Sequence, residues 1–292
     1  MTIVIRRPDS SRSRTVQRNL KSAGALRARA SRLTARGRYP AAASALQRAL
    51  RLATKARPSD PFLLAALLND FGVVCKYLGR FALANRMYER ALGLILSSGD
   101  SLDQREALAT LYHNFGGIAH AQGRFGLALR HAQRGIEIRK TIRPRDALSL
   151  AADEAALAAI LADSGRTSQA ADAYLRSLRT FRRRLGARHY EVGAALANLG
   201  ALYLRMARLQ DAERSLRLGV SILEEALGRN HPRAASALNN LAVVCARRGK
   251  LREADALYKR VLRMIERQPR SAQPTAALVR DNYKRFRRMA MP

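Results

Sequence analysis

Alanine recurs at a nearly fixed interval along the chain, and this periodicity constrains the fold more than any other feature. The recurring residues are Ala42, Ala84, Ala128, Ala170, Ala212 and Ala254, which are separated by 42, 44, 42, 42 and 42 residues. Three other columns keep the same interval: a mostly glycine column five residues earlier, a small-residue column twelve earlier, and an aliphatic column eight later. Self-similarity at one period is the signature of stacked structural repeats.

Each repeat has the pattern of two helices joined by a polar turn. Apolar residues recur every three or four positions, as at Leu238, Leu241 and Val244 and then at Leu257, Val261 and Ile265. The turns between these helices are Gly37-Arg38, Gly79-Arg80, Gly123-Arg124, Gly165-Arg166 and Gly249-Lys250. Glycine accepts the left-handed conformation that ends a helix. The small-residue column is expected where the two helices cross, since only Ala or Gly allows close approach there.

The period divides the chain into six repeats with a segment at each end. Pro58, Pro61, Pro144 and Pro232 mark helix starts, because proline tolerates only the first turn of a helix. The predicted repeats are 23–64, 65–108, 109–150, 151–192, 193–234 and 235–276. We expect residues 1–22 to form a basic, flexible arm and residues 277–292 a basic capping helix. The predicted fold is all-α.

Two segments resemble a known family closely. Gly186 to Gly200 reads GARHYEVGAALANLG, and Gly228 to Ala242 reads GRNHPRAASALNNLA. With the small, Gly, Ala and aliphatic columns, they resemble tetratricopeptide repeats of the 42-residue, kinesin-light-chain-like subclass. The resemblance spans roughly 23–290 and departs from the family pattern at Ala28 and Ala156, which replace a polar residue. It implies a right-handed superhelical solenoid that acts as a non-enzymatic adaptor, binds proteins or peptides and needs no cofactor.

The resemblance also implies where a ligand lies. The column two residues before the small crossing residue reads Ala28, Asp70, Asn114, Ala156, Asn198, Asn240 and Asn282. In the family this inward column grips the backbone of an extended peptide, and an Asn amide can both donate and accept, as a peptide group does. The predicted groove residues are Asp70, Tyr77, Asn114, Asn198, Arg205, Asn240 and Arg247.

The two groove arginines suggest the chemistry of the ligand. Arg205 and Arg247 lie one repeat apart and are suited to carboxylates, so an acidic segment or a C-terminal carboxylate is the expected partner. The alternative is structural: Asn198 and Asn240 brace neighbouring helices, and the arginines are only solvated.

The charge is large and concentrated at the two ends. The formal net charge is +32, of which residues 1–60 contribute +13 and residues 247–292 contribute +10. Such a field attracts anionic partners. Arg285, Arg287 and Arg288 are candidate anion contacts, and the neighbouring Tyr283 and Phe286 either stack on bases or form the apolar stripe of the capping helix. A nucleic-acid-associated factor is therefore the secondary alternative to the adaptor.

Motifs for catalysis or metal binding are not apparent in the sequence. The five histidines form no HExxH motif, and no Gly-x-Ser-x-Gly turn is present. Cys75 and Cys245 are expected to be buried core thiols, four repeats apart. No apolar run is long enough for a signal peptide or a membrane span, so a cytoplasmic protein is expected. A third alternative is a peptide-responsive regulator that acts through a separate partner. The oligomeric state stays open.

Overall fold

The computed structural model describes residues 10–56, 60–142, 147–266 and 273–290, of which 10–13, 232–233 and 273–275 are described by their backbone alone. These residues form thirteen helices and no strand. The helices are α1 Ser10–Ala35, α2 Tyr39–Lys55, α3 Pro61–Tyr77, α4 Phe81–Leu96, α5 Leu102–Ala121, α6 Phe125–Lys140, α7 Ala147–Asp163, α8 Thr167–Leu185, α9 Tyr190–Arg205, α10 Leu209–Leu227, α11 Pro232–Arg247, α12 Leu251–Glu266 and α13 Gln273–Ala290. The all-α fold and its paired helices are confirmed.

The chain divides into two compact units, each built from helix pairs. The N-terminal unit, Met1–Ile142, contains the pairs α1/α2, α3/α4 and α5/α6. The C-terminal unit, Arg143–Pro292, contains α7/α8, α9/α10 and α11/α12, with α13 packed against α11 and α12. Within each unit, the first helices of successive pairs contact one another, as α3 and α5 do and as α9 and α11 do.

The turn inside each pair has the backbone conformation that the glycine column predicts. Gly37, Gly79, Gly123, Gly165 and Gly249 all have positive φ, between 70° and 84°. In the fifth repeat this place is occupied by Ala207, which adopts the same left-handed conformation with φ 58°. The geometry of the repeat therefore holds Ala207 in a backbone conformation that residues other than glycine usually avoid, at some cost in free energy.

The first helices begin earlier than the predicted repeat boundaries. Asp60 accepts a hydrogen bond from the backbone N–H of Leu63, and Ser101 accepts one from Gln104, so α3 and α5 start at these N-caps. His189 caps α9 through Nδ1. The boundaries placed at 65, 109 and 193 therefore fall inside helices, because the period fixes the repeat length but the capping residues fix where each helix begins. Pro61 and Pro232 are the first residues of their helices, as predicted, whereas Pro58 and Pro144 lie outside the described residues.

Part of the segment expected to be a flexible arm is helical. Helix α1 begins at Ser10, so residues 10–22 are helical, and residues 1–9 lie outside the described residues. The reason is that the apolar stripe of α1 extends toward its N-terminus: Val16 and Leu20 are half-buried and lead into the fully buried Ala23. This spacing of four and then three residues continues one face of the helix.

Buried side chains from the helix pairs form each unit's core. In the N-terminal unit, Leu46, Leu67 and Tyr88 are fully buried in one cluster. In the C-terminal unit a second cluster extends from α10 into α13, where Val279 and Phe286 are buried. None of the described helices is both long enough and apolar enough to cross a bilayer.

Candidate functional site

A cleft between the first helices of the last two repeats is the candidate site in the C-terminal unit. It encloses about 170 Å³ between α9 and α11. Its lining consists of Ala194, Ala197, Asn198, Leu223, Ser236, Ala237 and Asn240. We call it the C-terminal cleft. Its lining combines three alanines and a leucine with two amides and a hydroxyl, so an occupant would meet short apolar side chains and a few hydrogen-bonding groups.

In the asparagine column, which is the column two residues before the small crossing residue, two asparagines have a structural role. The Nδ2 of Asn114 donates to Oδ1 of Asn69 in the preceding repeat over 2.7 Å, and Asn114 is buried. Asn282 donates in the same way to Asn239, over 3.3 Å. In both cases the acceptor comes immediately before the residue that occupies the same column in the previous repeat. Asn114 and Asn282 therefore link the first helices of adjacent repeats.

The two asparagines of the C-terminal cleft lack this brace. The corresponding acceptor positions are Ala155, in the repeat before Asn198, and Ala197, in the repeat before Asn240. Within the described part of the chain, the side-chain amides of Asn198 and Asn240 have no hydrogen-bond partner. Asn198 is exposed, and Asn240 is half-buried. Two amides one repeat apart therefore present unused donors and acceptors to the same cleft.

The two predicted groove arginines differ in their surroundings. Arg205 donates from Nη1 to Oδ1 of Asp163 over 2.6 Å and from Nη2 to the carbonyl of Ala162 over 2.8 Å. Asp163 lies one repeat before Arg205. The equivalent residue one repeat before Arg247 is Arg205 itself, so Arg247 has no carboxylate at that position. Arg247 is exposed, and no ion pair to it occurs among the described residues.

The predicted groove residues of the N-terminal unit have partners within the chain. Asp70 forms an ion pair with Nε of Arg27 over 2.7 Å. Tyr77 is exposed, and its ring stacks on that of Tyr39, with the centroids 4.8 Å apart. The ammonium of Lys76 lies 5.4 Å from the centroid of Tyr77. Asp70 and Tyr77 therefore lie on first helices as predicted, but each is already engaged by a neighbouring side chain.

The aromatic residues of the capping helix belong to the core. Phe286 is 2% exposed, and Tyr283 packs beside it and donates its hydroxyl to Asp255 over 2.8 Å. The interpretation of these rings as the apolar stripe of α13 is therefore confirmed. Arg287 and Arg288 are exposed beyond them. Arg285 is also exposed and pairs with Asp281 over 2.9 Å.

An ion-pair network around Glu213 was not predicted from the sequence. Glu213 is buried, and its carboxylate accepts hydrogen bonds from Arg217, Arg248 and Lys250. Burial alone would raise the pKa of Glu213, but these three cations lower the pKa to about 2. Arg217 also pairs with Glu253. Only the Glu213–Arg217 spacing of four residues is visible in the sequence, since the other partners come from the next repeat.

The same network contains a group of potential metal ligands. One ligand atom each from Glu213, Cys245 and Glu253 lies within 4.8 Å of the others. However, Arg217 occupies both carboxylates, and burial raises the pKa of Cys245 to about 11, which keeps the thiol protonated. The arrangement therefore serves as a network of ion pairs. Cys75 and Cys245 are both free and buried, as predicted.

Comparison with known proteins identifies the repeats. The tetratricopeptide repeat model matches residues 21–97, 148–225 and 219–267, which together are more than half of the chain. The chain belongs to the tetratricopeptide repeat family. Tetratricopeptide repeats are helix pairs stacked into arrays whose first helices line one face, which is the face that carries the C-terminal cleft. No curated protein sequence matches this tetratricopeptide repeat protein significantly.

Solved structures with the same fold are only distantly related in sequence. BtubC (BKLC) from P. vanneervenii is 20% identical with a TM-score of 0.62, covering 90% of this chain and 96% of that one. A putative kinesin light chain from Podosopora anserina is 18% identical with a TM-score of 0.55, covering 72% and 99%. A Rap protein complexed with competence and sporulation factor is 12% identical with a TM-score of 0.63, covering 93% and 76%. These similarities support the fold.

Proposed function

We propose that this tetratricopeptide repeat protein is a non-enzymatic adaptor that binds an extended peptide segment in the C-terminal cleft. The observation that carries the proposal is the pair of unpartnered amides, Asn198 and Asn240. Elsewhere in the same column Asn114 and Asn282 are used to brace helices, whereas these two face the cleft with free donors and acceptors. An asparagine amide complements a peptide group, so the pair is suited to holding two peptide units of an extended chain.

The charge beside the cleft favours a carboxylate on the ligand. Arg247 lies on α11 with Asn240, and its guanidinium is exposed without an ion pair among the described residues. Arg205 contributes less, because Asp163 already neutralises it. We therefore assign the preference for an acidic side chain or a C-terminal carboxylate to Arg247, whose planar guanidinium can bind a carboxylate with two hydrogen bonds.

A peptide-responsive regulator is a second form of the same proposal. The Rap structure is a complex with competence and sporulation factor, and an apo quorum sensor, NprR from B. thuringiensis, has the same fold at 15% identity with a TM-score of 0.59, covering 92% of this chain and 70% of that one. In this form, peptide binding would change how the protein engages a separate partner. A cytoplasmic location is part of the proposal, and two free buried thiols are compatible with a reducing compartment.

The nucleic-acid alternative is left with phosphate contacts alone. Tyr283 and Phe286 pack into the core of the C-terminal unit, so they are not available to stack on bases. Arg287 and Arg288 remain exposed on α13 and can contact phosphates. Such binding would be independent of sequence and would weaken steeply with salt.

Selection from a phage-displayed library of random peptides tests the adaptor proposal directly. The full chain is immobilised at a salt concentration high enough to suppress non-specific binding of anions, and the recovered peptides are measured by fluorescence polarisation. The double variant Asn198→Ala/Asn240→Ala should weaken their binding about 30-fold, since each lost hydrogen bond contributes about 1 kcal/mol. Arg247→Ala should weaken the acidic peptides further.

The matched control is Gln210→Ala, which removes an exposed amide from α10 without touching the cleft. Its affinity for the recovered peptides should equal that of the unmodified chain. Equal affinities for the double asparagine variant and the control would refute the assignment of the cleft. Recovery of duplex DNA alone from a cell extract, with loss at high salt, would instead favour the nucleic-acid alternative.

A further inference from the structure

The N-terminal unit contains a second cleft at the equivalent place between first helices. It encloses about 420 Å³ and is lined mainly by α3 and α5, with Arg27 reaching it from α1. We call it the N-terminal cleft. Phe62, Leu63 and Leu111 give it an apolar floor. It is larger than the C-terminal cleft.

The two clefts correspond column by column. Five lining positions of the N-terminal cleft have a counterpart, at the same place in the repeat, that lines the C-terminal cleft. The corresponding pairs are Ala66 and Ala194, Asn69 and Ala197, Ile95 and Leu223, Thr110 and Ser236, and Leu111 and Ala237. The clefts are thus two copies of one structural feature, and differences between them reflect side chains and not backbone architecture.

The rim of the N-terminal cleft is acidic. Asp60, Asp103 and Glu106 line it, and all three are exposed. Among the described residues none of these carboxylates forms an ion pair, although Asp60 also caps α3. The one cation of the lining, Arg27, is paired with Asp70. Three unpaired carboxylates at one cleft are unusual in a chain with 54 basic and 22 acidic residues.

The C-terminal cleft has no such acidic rim, since neither Asp nor Glu is among its lining residues. The positions equivalent to Asp60, Asp103 and Glu106 are Arg188, Arg229 and Pro232; none of them lines the C-terminal cleft, and Arg188 pairs with Glu225. Since corresponding positions line both clefts but carboxylates line only the N-terminal one, the two clefts are suited to ligands of different charge. Interfaces with complementary charge favour the matching partner and disfavour the wrong one.

The three rim carboxylates do not form a group close enough to hold one metal ion. Within the described residues, a group of three potential ligand atoms within 4.8 Å of one another occurs at Glu213, Cys245 and Glu253, and not at this rim. The separation of the rim carboxylates suits several cationic side chains along one extended segment better than a single ion. The apolar floor provides a place for an uncharged side chain between them.

We propose that the N-terminal cleft binds a basic, extended peptide segment, with at least two Lys or Arg side chains on the rim carboxylates and an apolar residue on the floor. The protein would then hold two segments of opposite charge, one in each cleft. This extends the proposed function, from which it differs in cleft, residues and ligand charge. The overall charge of +32 repels basic segments from most of the surface, so their binding would depend on these local carboxylates.

A differential selection tests this inference with the full chain. Phage displaying random peptides are first depleted on the variant Asp103→Asn/Glu106→Gln and then selected on the unmodified protein. Asp60 is left unchanged because its side chain caps α3. The peptides recovered should be enriched in Lys and Arg, and their dissociation constants should rise about fivefold to tenfold on the double variant, as for two partly exposed ion pairs.

The control variant is Glu89→Gln/Asp172→Asn, which removes one glutamate and one aspartate that are exposed and lie away from both clefts. It makes the same change in net charge and should leave binding within twofold. The variant Asn198→Ala/Asn240→Ala should also leave the basic peptides unaffected, which separates this inference from the proposed function. Recovery of no peptides after depletion, of peptides without excess basic residues, or of peptides weakened equally by the control would overturn it.

Discussion

Replacing glycine by alanine at three positions of the small-residue column is expected to have three different effects on stability. Gly72, Gly116 and Gly200 occupy equivalent positions in first helices, where Ala30, Ala158 and Ala242 stand in the other repeats. Replacing glycine by alanine inside a helix is favourable by about 1 kcal/mol, because glycine loses more backbone entropy on folding. Whether this gain is realised depends on what the added methyl group meets.

The atoms around each glycine decide whether its replacement by alanine stabilises or destabilises the protein. A Cβ at Gly116 would lie 3.4 Å from its nearest neighbours, the backbone of Ala128 and Ala132, which is ordinary contact. A Cβ at Gly200 would lie 2.6 Å from Cγ of Leu216 and 3.1 Å from its backbone nitrogen. Overpacking of this kind costs about 1–3 kcal/mol. We therefore expect Gly116→Ala to stabilise the protein by about 1 kcal/mol and Gly200→Ala to destabilise it by about 1 kcal/mol.

The third position should be the most sensitive. A Cβ at Gly72 would lie 2.2 Å from Cε1 of Tyr88, and that ring is fully buried and packs edge-on against Phe115. The ring has little room to move, so Gly72→Ala should cost about 2 kcal/mol after the helical gain is subtracted. Far-UV circular dichroism during thermal and urea unfolding measures all three variants. A uniform effect, or a loss of stability for Gly116→Ala, would refute the argument from close contacts.

Three further predictions concern a turn, an ion-pair network and the asparagine column. Ala207→Gly should raise stability by about 0.5–1 kcal/mol, measured by urea unfolding, because glycine adopts positive φ without strain; a decrease would contradict this. Glu213→Gln should cost about 2 kcal/mol at neutral pH, measured by thermal unfolding across pH. Because the folded-state pKa of Glu213 is lowered to about 2, its stabilisation is complete above its ordinary pKa, and the variant's deficit should disappear as pH falls toward 2. Asn114→Ala should cost about 1 kcal/mol by leaving the Oδ1 of Asn69 unpaired, whereas Asn198→Ala should leave the melting temperature unchanged; equal melting temperatures would argue against the brace.

Much of the fold is predictable from the sequence because its signals are local and repeated. The glycine column encodes left-handed turns, the small column encodes helix crossings, and the 3.6-residue period encodes the helices, so six copies of a weak signal reinforce one another. The residues at which the first helices begin are less predictable. A cap such as Ser101 is one residue in a loop, and its hydrogen bond to Gln104 N–H leaves no periodic trace.

The candidate site was only partly predictable. The sequence places Asn114, Asn198 and Asn240 in one column and predicts that they point the same way. It does not show that Asn114 is bonded to Asn69 while Asn198 and Asn240 have free amides, because the acceptor belongs to a neighbouring column of the preceding repeat. The same holds for Arg205, which Asp163 engages from the repeat before.

The sequence by itself therefore determined the repeat, its two helices, its turns and the face on which a ligand is expected. The tertiary structure decided which polar side chains on that face are used internally and which remain available, and it brought Asp60, Asp103 and Glu106 to the rim of one cleft. The physical reason is the range of the interactions. Backbone conformation and helical period depend on residues within a few positions, whereas hydrogen bonds and charges across a repeat interface join residues some 40 positions apart, as Asn69 and Asn114 are, 45 apart.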